Sequence, residues 1–219
     1  MATAINLAGT TDADRPKAPK ARAVSPCFTP GTVIATERGE RLVEDLSIDD
    51  GIVTRDNGIQ KIRWIGARWI SGRDLAATPH LFPILIKAGA FGDGLPEQDM
   101  SLSPNHRVLV NNEQTALYFE DREVLVAAKH LVNNRGVFRV HSLGVAYIHI
   151  MFERHEVVLS NGSWSESFQA ADYSLRGIGN AQRQEILEIF PDVAPGLGGE
   201  RFRPARRVLT QAEARQLMK

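Results

Sequence analysis

The run from Val145 to Leu159 places the tightest limit on how this chain folds. At the two-residue period of a strand, one face carries Val145, Tyr147, His149, Met151, His155, Val157 and Leu159. The other carries Ala146, Ile148, Ile150, Phe152 and Val158. A strand that is apolar on both faces needs a packed layer against each, so the run predicts one central strand inside a β-rich core.

Shorter segments upstream point the same way. Val33-Ile34 and Leu42-Val43 are separated by Gly39 and preceded by Pro30-Gly31, and Ile52-Val53 leads into Asp56-Asn57-Gly58, a turn signal. Ile59 to Ile70, with Ile62, Trp64, Ile65 and Trp69, reads as a long strand or a hairpin, the tryptophans as core anchors. Pro79 to Gly94 is loop-rich, with Pro83 and Pro96 bracketing Ile84-Leu85-Ile86, while Arg107–Val110 and Leu117–Phe119 read as strands and Glu123–Leu131 as a short helix. Ala181–Phe190 is expected to be an amphipathic helix stopped by Pro191, with a second helix over Gln211–Lys219. Residues 1–26, rich in Ala, Thr, Asp, Lys and Pro, are expected to form a flexible leader.

Charge narrows the function. Lys plus Arg number 26 and Asp plus Glu number 26, so the basic excess of a nucleic-acid binder is missing. The stretch containing Arg201, Arg203, Arg206 and Arg207 reads as a solvated or subunit-contact surface. No apolar run is long enough for a membrane-spanning helix, and no conventional signal peptide is visible. The chain has 1 cysteine, Cys27, which excludes an internal disulfide and a multi-thiolate zinc site.

Cys27 sits where leader meets body, in Ser25-Pro26-Cys27-Phe28-Thr29-Pro30-Gly31-Thr32. It is either a small buried hydrophobe or a nucleophile awaiting an adjacent base. Ser103-Pro104-Asn105-His106 offers a hydroxyl and an imidazole three residues apart at a strand entrance. On a regular strand His149 and His155 stand about 20 Å apart at ~3.3 Å per residue, which disfavours a shared metal. His155-Glu156 has Leu159 where a zincin needs histidine, and no phosphate-binding glycine loop occurs, so no metal or cofactor is expected.

In order and spacing, Cys27 to Thr32, Ser103-x-x-His106 and His155 to Gly162 resemble the Hint (Hedgehog/intein) superfamily, and its bacterial stand-alone branch in particular. Val43–Leu46, Arg63-Trp64 and Glu166–Phe168 fit the same pattern. The resemblance implies an all-β, horseshoe-like, pseudo-two-fold fold, here a domain over residues 27–170 followed by a partly helical C-terminal extension over residues 171–219. It implies an N-to-S acyl shift, with Cys27 attacking the Pro26 carbonyl and the chain's own N-terminal segment as substrate. Ser103 would orient the scissile peptide, His106 would protonate the departing nitrogen from beside the sulfur, and His149 is a second acid/base candidate.

The pattern departs from an intein after Asn161-Gly162, where Ser163-Trp164-Ser165 replaces a His-Asn ending, so full splicing is not expected. Counting back from His155 puts Ile148, beside His149, at the position inteins fill with Asp or Cys. Three functions follow as alternatives. They are single-turnover self-cleavage at Pro26–Cys27, a non-catalytic Hint-like binding or accessory module, and a cysteine hydrolase acting on another molecule.

Overall fold

A computed structural model describes residues 25–170, 179–190 and 203–217. The flexibility expected of the leader falls on residues 1–24, outside that set, whereas Ser25 and Pro26 lie inside it and are buried.

The fold is mostly β with a few short helices. The strands are β1 (Val33–Thr36), β2 (Gly39–Leu42), β3 (Gly51–Thr54), β4 (Gly58–Lys61), β5 (Trp64–Ser71), β6 (Ile84–Ile86) and β7 (Met100–Leu102). They continue with β8 (Arg107–Asn111), β9 (Glu123–Ala127), β10 (Val137–Arg139), β11 (Gly144–Met151), β12 (Val157–Ser160), β13 (Ser163–Glu166) and β14 (Arg207–Val208). Helices α1 (Gly72–Ala77), α2 (Glu113–Phe119), α3 (Asn180–Ile189) and α4 (Gln211–Leu217) lie between or after them. None is long and apolar enough to cross a membrane among the described residues.

The largest sheet runs β14-β9-β8-β13-β12-β1-β3-β4, with β2 on β1. A second sheet runs β10-β6-β7, and β11 with β5 forms a ribbon. Ile34, Ile52, Ile84, Ile86, Met100, Leu102, Val108, Val126, Ile148 and Ile150 meet in the main core. Trp64 packs with Met151, Phe168, Ile186 and Phe190, so α3 seals the ribbon's other side.

The single strand expected over Val145–Leu159 is two. β11 ends at Met151 and β12 starts at Val157, because they serve different sheets: β11 pairs with β5 from Gly144↔Ser71 to Met151↔Trp64, whereas β12 pairs with β13, β1 and β3. The 20 Å argument about His149 and His155 therefore does not hold. Among the described residues no group of His, Cys, Asp and Glu is arranged to hold a metal ion.

Ile59–Ile70 is neither one strand nor one hairpin, since β4 pairs with β3 and β5 with β11. Leu117–Phe119 is helical, because Asn112 caps Thr115 N and starts α2. Glu123–Ala127 is a strand, held by β8 on one side and β14 on the other. The β3–β4 hairpin closes at Asp56-Asn57-Gly58 as expected, with Gly58 at φ 63°. Asn180–Ile189 and Gln211–Leu217 are helices where helices were expected.

Candidate active site around Cys27

Cys27-Phe28 is the seam between the β10-β6-β7 sheet and the β5–β11 ribbon. Phe28 bridges Leu102 of β7 on one side and Ile148 of β11 on the other. Its amide donates to the Ile148 carbonyl at 2.8 Å, and the Ile148 amide donates back at 2.9 Å. Ser103, just past β7, donates its amide to the Cys27 carbonyl at 3.0 Å. Backbone pairing thus delivers the cysteine to a fixed point.

With Ile148 paired to Phe28 and turned into the main core, strand alternation turns Tyr147 and His149 toward Cys27. The His149 Nδ1 lies 2.8 Å from the Pro26 carbonyl oxygen. A carbonyl only accepts, so Nδ1 carries the proton and Nε2 presents a lone pair. That lone pair faces the Cys27 sulfur at 3.5 Å. One neutral imidazole therefore touches both the thiol and the carbonyl one bond away from it in sequence.

Ser103 completes the clamp. Its hydroxyl accepts from the Cys27 amide at 2.9 Å and donates to the Ser25 carbonyl at 2.9 Å. The single hydrogen of the Cys27 thiol has a second acceptor in the Ser25 carbonyl oxygen, 3.0 Å from the sulfur. Both peptide groups flanking Pro26 are thereby held.

His106 does not sit where it was expected. The imidazole bonded to the sulfur is that of His149; the His106 ring packs edge-on to Phe28 with centroids 4.5 Å apart. Neither of its nitrogens has a hydrogen-bond partner among the described residues, although its backbone amide donates to the Ser103 carbonyl. The tight Ser103–His106 turn, together with Phe28 between two strands, aims the ring at the phenyl group rather than the thiol.

Burial dominates the electrostatics. It pushes the Cys27 thiol well up from its usual range, with the Ser103 hydroxyl pulling the other way. Burial pushes His149 down to about 4 against the pull of the Pro26 carbonyl, and His106 down to about 4 against the Glu166 carboxylate. Ile70, Leu75, Leu81, Phe82, Val145 and Tyr147 close the apolar shell around the sulfur, Leu75 and Leu81 coming from α1 and the 3-10 turn after it.

What the sequence did not assign is a role for Glu166 and its partners. Glu166 has a fully buried carboxylate. It accepts from the Arg107 amide at 2.8 Å, the Arg107 guanidinium at 3.0 Å and His155 Nε2 at 3.2 Å. Its place in the Glu166–Phe168 motif was visible; the depth of burial was not.

A family model described as "Hint domain" matches residues 26–172. Among solved structures, a DnaB intein from Synechocystis sp. is similar at 9% identity, covering 65% of this chain and 99% of that one, with a TM-score of 0.43. A bacterial intein-like domain from Clostridium thermocellum is similar at 12% identity, covering 64% and 97%, with a TM-score of 0.39. Curated proteins yield no match.

Proposed function

The chain belongs to the Hint domain family, whose model spans residues 26–172, and on that premise we propose that it is a self-processing domain that cuts its own backbone at Pro26–Cys27. The observation that carries this reading is the His149 ring, in contact with both the Pro26 carbonyl oxygen and the Cys27 sulfur.

Nε2 takes the thiol proton as the sulfur attacks the Pro26 carbonyl carbon, and Nδ1–H holds the oxygen as it becomes an oxyanion. The proton returns to the Cys27 nitrogen, the C–N bond breaks, and Pro26 is left as a thioester on Cys27. Ser103 holds the amide nitrogen and the Ser25 carbonyl, so the reacting groups start in register. His106, the acid expected from the sequence, makes no hydrogen bond to that nitrogen, whose N–H is held by Ser103. An external nucleophile then releases the acyl segment that ends at Pro26. Ser163-Trp164-Ser165, in place of a His-Asn ending, supports cleavage without splicing.

Intact mass of the full chain, incubated with and without a small thiol or hydroxylamine, tests this. The expected product begins at Cys27. Cys27→Ala is expected to abolish it, and His149→Ala to slow it by about 100-fold or more, the usual scale for a general base. A wild-type chain that stays full length in hydroxylamine overturns the reading.

A second reading, a non-catalytic Hint-like binding module, is favoured by the thiol itself, which is 3% exposed and lies nearer the Ser25 carbonyl than His149. It predicts that Cys27→Ala alters neither chain length nor binding.

A further inference from the structure

His155 lies next to no reacting atom, yet its side chain is fully buried and both of its ring nitrogens are bonded. Nδ1 accepts from the Ala205 backbone amide at 2.9 Å, and Nε2 meets the Glu166 carboxylate at 3.2 Å. An amide nitrogen only donates and a carboxylate only accepts, so the proton of His155 is on Nε2. Ala205 is outside the residues matched by the Hint model, which end at 172.

The segment carrying that amide is tied down on both sides. Arg206 bonds Asp56 at 2.6 and 2.9 Å and Glu123 at 2.8 Å. Arg207 and Val208 form β14 alongside β9, and the Leu209 amide donates to the Leu125 carbonyl at 2.9 Å. On the inner side, Glu166 accepts the amide of Arg107, the peptide that immediately follows His106. A continuous set of bonds therefore runs from the C-terminal segment to the turn that carries Ser103 and His106.

We propose that Arg203–Val208 is a strap that serves the processing site: the Ala205 amide sets the proton position of His155, and His155 with Arg107 holds the Glu166 carboxylate that pins the peptide after His106. Ala205, His155 and Glu166 are positioning residues. The proposal rests on the self-cleavage reading and extends the machinery beyond the matched domain. Its physical basis is that a buried carboxylate keeps one orientation only while all its donors are in place.

The test uses the full-length chain. Long-range proton–nitrogen NMR of the His155 ring reads where its proton sits, and intact mass reads cleavage. In the wild type, Nε2 is expected to be protonated and Nδ1 not. Ala205→Pro, which removes the amide hydrogen, is expected to lose that single-site signature and to cleave about 10-fold more slowly or worse. Ala205→Gly, which keeps the amide, is expected to retain both. Arg206→Ala leaves every backbone donor but frees the strap from Asp56 and Glu123; it is expected to fall between them and serves if the proline variant does not fold. A variant that loses the His155 signature yet cleaves at the wild-type rate overturns the strap's role, as does a wild-type His155 protonated on Nδ1. A wild type that never cleaves overturns the self-cleavage reading and this role with it, while the ring signature still judges the strap contact by itself.

Discussion

Two buried imidazoles make the native state sensitive to acid. His106 and His149 are both lowered from 6.5 to about 4, by burial first. Their folded pKa lies below the unfolded one, so between those values the unfolded chain binds protons that the native chain does not. Stability is therefore full above about pH 6.5 and falls as the pH drops toward 4, by on the order of 3 kcal/mol per ring over that window. The urea midpoint is expected to fall steadily across it, and His149→Gln to remove about half of the slope. The proposed chemistry needs His149 neutral, so cleavage should run at a constant rate near neutral pH and disappear below about pH 4. At this scale Cys27 stood out as the lone thiol at a composition boundary, and Ser103 by its spacing to His106. Which imidazole meets the sulfur was not legible, because that depends on how β11 and β7 flank Phe28.

The ribbon of β5 and β11 positions His149, the base of the proposed chemistry. His149 pairs with Gly66 across it, and a Cβ at Gly66 would lie 2.2 and 2.4 Å from the Trp64 ring. Trp64 in turn stands 6.1 Å from the His149 ring and Phe168 stands 5.1 Å from it, so displaced tryptophan means a displaced imidazole. Gly66→Ala is expected to cost about 1–3 kcal/mol, the usual scale for overpacking, read as a lower urea midpoint, and to slow cleavage in the same variant. Alternation over Val145–Met151 was legible because it is a local property of the sequence. The break after Met151 was not, since Phe152–Glu156 has no strong turn signal and the change of sheet is made by partners distant in sequence, β5 for β11 and β1 and β3 for β12. Glu123–Leu131 mixes β-branched residues with Ala and Lys, so local preference is nearly tied; pairing on both sides decides for a strand over its first five residues.

Across the whole molecule, the C-terminal segment is part of the main core rather than an appendage. Leu209 and Ala214 are buried there at 2% and 0% exposure, and Leu217 packs against the same cluster. Leu209→Ala is expected to cost about 2–5 kcal/mol and to lower one cooperative transition for the entire chain, seen together by tryptophan fluorescence and far-ultraviolet circular dichroism. Two separate transitions would mark the C-terminal segment as an independent unit.

Composition, turn residues and two-residue alternation were enough to determine a β-rich body with a nucleophile candidate at its edge, because each is written in neighbouring residues. Strand partners, the choice of His149 over His106, and the path from Ala205 through His155 to Glu166 were decided only in three dimensions. Those side-chain contacts join positions 11, 50 and 122 residues apart, and burial, which shifts the pKa of Cys27, His106 and His149, exists only after the sheets close around them.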